Sequence, residues 1–151
     1  MAVNPNTNFT TGAVFTADQA NRFPRGAMGY VYSTAGNITL TTTVQDIPGA
    51  SVTFTAVSGR LYKITYNAQI QKVTSAGYIE ISFYNGATVI YDGFEDVAAG
   101  QYINYSMTSV VSGLSGSVTI KATGIVNVAT ATIFRGVANP TSFVVEDIGL
   151  S

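Results

Sequence analysis

Tyr62-Lys63-Ile64-Thr65-Tyr66-Asn67-Ala68-Gln69-Ile70-Gln71 decides the fold class. Apolar and polar side chains alternate without a break along this stretch. Successive side chains of a β-strand point to opposite faces, so Tyr62, Ile64, Tyr66, Ala68 and Ile70 share one face. Lys63, Thr65, Asn67, Gln69 and Gln71 share the other. The same period continues downstream, where Ile79, Ile81 and Phe83 alternate with Glu80, Ser82 and Tyr84. Asn85-Gly86 then gives a strong hairpin signal and leads into Thr88-Val89-Ile90-Tyr91.

Upstream, Tyr30-Val31-Tyr32 opens the β pattern, Ile38 to Val44 mixes apolar and hydroxyl residues, and Val52, Phe54 and Ala56 alternate with Thr53 and Thr55. Ser58-Gly59 turns the chain. Beyond the hairpin, residues 92–100 read as the largest loop. Tyr102 to Val111 reads as a long strand, and Val118, Ile120 and Ala122 as the buried face of the next. Val128 to Phe134 is a weaker strand. Ser142 to Ile148 is the last, with Val144, Val145 and Ile148 able to bury. Roughly eight to ten strands at regular spacing predict a β-sandwich or barrel. Long strands that return from end to end favour a jelly roll. In such a sandwich the last strand is expected centrally, beside the first.

Residues 1–28 form a different kind of segment. Met1 to Thr11 is rich in Asn and Thr and has no period. Thr16 with Gln19 three residues on is a capping box, and Asp18 suits a helix start, so a helix of about two turns is predicted, stopped by Pro24. A helix this short must dock on something. The chain therefore divides into an arm and helix, 1–28, and a β-sandwich domain, 29–151.

Composition excludes several classes of function. The 151 residues include no Cys and no His. Disulfide frameworks, thiol nucleophiles, imidazole triads and the usual zinc sites are out of reach. Only 10% of residues are charged and the net charge is -1, which gives no basic field for nucleic acid or a membrane surface. No signal peptide and no apolar span are legible. Glu95-Asp96 and Glu146-Asp147 are adjacent carboxylates. Neighbours in a strand diverge, so Glu146 and Asp147 are not expected to line one site. Glu95 and Asp96, read as loop residues, are able to hold a cation weakly. No glycine motif for phosphate binding and no serine elbow with a base is present. No cofactor, no metal and no enzymatic activity are expected.

Two surfaces stand out as candidates. Tyr78, Tyr84, Phe94, Glu95, Asp96 and Tyr102 combine aromatic rings with polar groups, a chemistry that suits a sugar face or a subunit contact equally. Asn67, Gln69, Gln71 and Glu80 form a polar, nearly uncharged set that suits packing between copies of the chain.

The stretch Phe15-Thr16-Ala17-Asp18-Gln19-Ala20-Asn21, within Asn8 to Gly26, resembles segments that open virion proteins of tailed bacteriophages. Arg25-Gly26-Ala27-Met28-Gly29-Tyr30, Val52 to Ile64 and Val144-Val145-Glu146-Asp147-Ile148-Gly149 resemble short phage proteins of the minor tail type. This resemblance implies a virion structural protein, assembled in the host cytoplasm, whose partners are other tail or capsid proteins. Phe9, Val14, Phe15, Asp18, Asn21, Arg22, Phe23 and Arg25 would then be the anchor to the virion. It implies a tail appendage with possible adhesion to a host-surface glycan or, as the alternative, a capsid decoration or head-fibre protein. The β domain is also similar to trimeric jelly rolls of the tumour-necrosis-factor type, which implies a homotrimer.

Overall fold

The computed structural model describes residues 11–12 and 14–151. One helix, α1 (Ala17–Asn21), precedes ten strands. These are β1 (Gly26–Ser33), β2 (Ile38–Leu40), β3 (Gln45–Ala56), β4 (Arg60–Lys72), β5 (Gly77–Asn85), β6 (Thr88–Val97), β7 (Tyr102–Val111), β8 (Gly116–Val126), β9 (Ala131–Phe134) and β10 (Thr141–Leu150). All pairings are antiparallel.

The first sheet runs β1-β10-β4-β9-β2, with β7 on the other side of β4, and the second runs β3-β8-β5-β6. With the short strands β2 and β9 set aside, the sheets are β1-β10-β4-β7 and β3-β8-β5-β6. The chain crosses between them after β1, β3, β4, β6, β7 and β8, which is the double Greek key of a jelly roll. As expected, β10 lies centrally, between β1 and β4. Gly26 already pairs with Asp147, so strand pairing starts just ahead of residue 29.

The alternation read from the sequence sets the core. Tyr62, Ile64, Tyr66 and Ile70 of β4 are fully buried, as are Ile79, Ile81 and Phe83 of β5. Phe143 of β10 joins the layers: its ring lies 5.7 Å from that of Phe83 and 6.4 Å from that of Tyr66. The Tyr66 hydroxyl is buried and, among the described residues, has no hydrogen-bond partner. The Asn85-Gly86 hairpin forms as read, with Gly86 at φ +59° and Asn85 opposite Thr88. Positive φ at the first central residue alone fits a type II′ turn.

Three readings need correction. Residues 92–97 are strand and not loop, and only 98–100 turn the chain. β6 continues to Val97 and pairs with β5 from Asn85↔Thr88 to Gly77↔Val97, shifted once by a bulge at Phe83/Tyr84. Glu95 and Asp96 are thus strand residues that point to opposite faces. The strand expected over 38–44 ends at Leu40, and β3 begins at Gln45, bent at Pro48-Gly49 where its pairing with β8 is interrupted. In β10, Phe143 and Val145 bury while Val144 and Ile148 are only half-buried.

Candidate functional site

The chain that precedes β1 is strapped to the sandwich by two buried charges. Arg60 begins β4 and Asp147 lies near the end of β10, and each is 1% exposed. Both are in phase with the buried faces of their strands, so their side chains enter the end of the core. The Arg60 guanidinium donates through Nε and Nη2 to the two Asp147 oxygens. Nη1 donates to the Asn21 carbonyl at 2.6 Å and Nη2 to the Phe23 carbonyl at 2.7 Å. Asp147 also accepts from the Gly149 amide at 3.0 Å and from the Arg25 amide. Burial alone would raise the Asp147 pKa. The bonds from Arg60, Gly149 and Arg25 outweigh it and hold the carboxyl below the usual range. A side chain at Gly149, where φ is +119°, would start 3.3 Å from the Arg22 carbonyl oxygen, so the strap passes close over a position whose backbone favours glycine.

The strap itself begins with the predicted cap. The Gln19 amide donates to Thr16 Oγ1 at 3.2 Å and the Thr16 amide to Gln19 Oε1 at 2.8 Å. The helix has five residues rather than two full turns. Phe15 and Phe23 stack with centroids 5.8 Å apart, and Val14 is 84% exposed. Of the predicted anchor residues, Val14, Phe15, Asn21, Arg22, Phe23 and Arg25 lie on or beside this strap, all exposed. Asp18 lies within α1. Phe9 and the side chain of Asp18 fall outside the described residues.

The predicted ligand residues divide between several surfaces. Tyr78, Phe94 and Asp96 come together on the outer face of the second sheet, with Tyr78 opposite Asp96 and Glu80 opposite Phe94. The Tyr78 ring meets the Phe94 ring edge-on at 5.6 Å, and Phe94 is 60% exposed. Glu95 turns the other way, into a cleft of about 610 Å³ between β6 and β7, the edge strands of the two sheets. Tyr84 sits further along β5, opposite Lys121. Tyr102 belongs to the first sheet, where it packs on Phe134 at 5.4 Å.

Gly93 and Tyr105 form the cleft floor, where the Tyr105 hydroxyl donates to the Gly93 carbonyl at 3.0 Å. A Cβ at Gly93 would meet Met107 Sδ at 2.6 Å and the Tyr105 hydroxyl at 2.7 Å, so glycine lets these side chains close over the strand. Burial, then the nearby Glu95, Tyr91 and Glu80, push the Tyr105 pKa up and keep it a neutral donor.

The predicted subunit-interface set is also divided. Asn67, Gln69 and Gln71 share the outer face of β4. There Asn67 Nδ2 donates to Ser142 Oγ at 3.2 Å and Ser106 Oγ donates to Asn67 Oδ1 at 2.7 Å. This hydrogen-bonded row crosses β10, β4 and β7. Glu80 lies on the other sheet and accepts from Ser82 at 3.2 Å. It cannot join the row, because the outer faces of the two sheets point away from each other. The sequence reading missed Arg60 and Asp147 as a pair, and Tyr105 in the cleft. Among the described residues, no group of three or more acidic side chains is placed to hold a metal ion, and no helix is long and apolar enough to cross a membrane.

No family model and no curated protein matches the chain. Among solved structures, it is similar to a Bacillus endospore appendage described as a disulfide-linked pilus, at 19% identity and TM-score 0.41 over 96% of this chain and 100% of that one. It is similar to the baseplate tripod of bacteriophage Tuc2009 at 17% identity and TM-score 0.44, over 95% of this chain and 75% of that one. It is also similar to infectious bursal disease virus, Gt strain, at 11% identity and TM-score 0.45, over 98% of this chain and 43% of that one.

Proposed function

We propose that the protein is a non-enzymatic structural component of a tailed-phage virion, attached through the strap before β1 and carried as a tail appendage. The observation that carries this reading is the Arg60–Asp147 clamp. A buried ion pair contributes little to stability beyond what an apolar pair would. Here it holds main chain outside the core, at Asn21, Phe23 and Arg25, and so fixes how the phage-like segment leaves the domain. A fixed exit is what a subunit needs to project from a larger particle. The outward-facing Tyr78, Phe94 and Asp96 then offer rings and a carboxylate to a host-surface glycan. Decoration of the head by the same design is the second reading, favoured by the sparsely charged outer face of the first sheet. Three-fold assembly is what the fold analogy alone implies, and it competes with a two-fold contact through a sheet edge.

The test is the copy number of the chain in purified virions, by quantitative mass spectrometry against the major capsid protein. A number far below the capsid protein supports the tail, and a comparable number supports the head. Absence from virions refutes both. In a tail protein, Phe94→Ala should weaken binding to host cells without loss of incorporation.

A further inference from the structure

Edge strands expose a row of unpaired main-chain groups, and proteins blunt them with bulges, prolines, charges or short length. The edges here can be compared one by one. β3 carries Pro48, Gly49 and a break in its register, and β1 carries a bulge at Ala27/Gly29. β2 has three residues. β6 has a bulge, Gly93, and the acids Asp92, Glu95 and Asp96. β7 has none of these devices. Tyr102-Ile103-Asn104-Tyr105-Ser106-Met107-Thr108-Ser109-Val110-Val111 contains no charge, proline or glycine, and pairs with β4 in unbroken register from Gln71↔Tyr102 to Tyr62↔Val111. On its far side lies the open cleft toward β6.

We propose that β7 is a self-association edge, where β7 of a second copy adds antiparallel about a two-fold axis. The sequence of the strand selects the partner and the register. With the axis at Ser106, each outward side chain meets one that suits it. Tyr102 faces Val110, Asn104 faces Thr108, and Ser106 faces its own copy. Tyr102 and Val110 are 55% and 52% exposed in the single chain, and this register covers each with the other. An aromatic ring opposite a β-branched side chain is a favourable cross-strand pair, and no like charges meet. β6, by contrast, carries Asp92, Glu95 and Asp96, charges of the kind that blunt an edge. One unprotected edge per chain closes after two copies, so the product is a dimer and not a fibre. This inference does not depend on the virion reading and stands or falls separately from it.

The test uses the full chain. Sedimentation equilibrium should give twice the chain mass. Asn104→Glu/Thr108→Glu sets carboxylate against carboxylate and should yield a folded monomer by circular dichroism. Asn104→Lys/Thr108→Glu sets opposite charges together in this register and should restore the dimer, with added salt sensitivity. The chain has no Cys, so Ser106→Cys supplies a unique thiol. Opposed Cα atoms in an antiparallel pair lie about 4.5–5.5 Å apart, within disulfide reach. Ser106→Cys should cross-link on oxidation and Thr53→Cys, exposed on β3, should not. A wild-type monomer or trimer, identical behaviour of the two charge variants, or equal cross-linking at position 53 would each overturn the proposal.

Discussion

Asp147→Ala is the perturbation that reads the clamp most directly. Asp147 accepts from Arg60 twice and from the amides of Gly149 and Arg25. Its loss leaves a guanidinium buried at 1% exposure with, among the described residues, two strap carbonyls as its acceptors. Breaking a buried pair by removing one partner costs about 3–5 kcal/mol. Each kcal/mol moves Tm by about 2–4 °C in a domain of this size, so Tm should fall by roughly 6–20 °C. Thermal unfolding by circular dichroism measures it. Limited trypsin digestion at low temperature then separates the strap from the core. Cleavage after Arg22 and Arg25 should accelerate in Asp147→Ala before the β domain itself is cut. Arg60→Met/Asp147→Leu replaces both charges with apolar groups and should lose less stability than the single variant, while its strap is cut just as fast. A Tm change under about 2 °C in Asp147→Ala would refute the account of the clamp. So would a strap that stays as protected as in the wild type.

Three further outcomes follow from buried polar groups. The folded-state pKa of Asp147 is depressed. Its contribution is therefore present above the unfolded value of about 3.9 and lost as pH falls through the lower folded value. Acid unfolding monitored by fluorescence should show Asp147→Asn losing most of the wild type's pH dependence below about pH 4. Lys72 is fully buried with its Nζ on the Val128 carbonyl, and burial lowers its pKa. Stability thus rises with pH between its lowered folded pKa and the unfolded value of about 10.4. Lys72→Met should raise Tm at pH 7, and the gain should shrink toward pH 10. Among the described residues the buried Tyr66 hydroxyl has no partner, and an orphaned polar group costs about 1–3 kcal/mol. Tyr66→Phe should match or exceed the wild type in denaturant midpoint.

The sandwich was legible because its core strands are long and one-sided, so Tyr62 to Gln71 and Ile79 to Phe83 show period two with no ambiguity. β6 escaped because an edge strand has little to bury. Asp92, Gly93, Glu95 and Asp96 have the composition of a loop, yet Gly93 is there so that Tyr105 and Met107 can close over it. Which sheet a strand joins is not written in its alternation. Asn67 and Glu80 look alike in sequence, but the chain crosses between sheets from β4 to β5 and sends them to opposite sides of the molecule.

The clamp left a trace that strand phase alone can recover. Arg60 is in phase with Tyr62 and Ile64, and Asp147 with Phe143 and Val145. A charge that keeps step with a buried face must either turn out to solvent or find an opposite charge inside. Two such charges of opposite sign, at the ends of strands that neighbour each other in the sheet, can satisfy one another. What the phase does not reveal is the third party. The spare donors of the guanidinium reach Asn21 and Phe23, whose contribution is carbonyl oxygens common to every residue, and no side-chain pattern announces a main-chain partner.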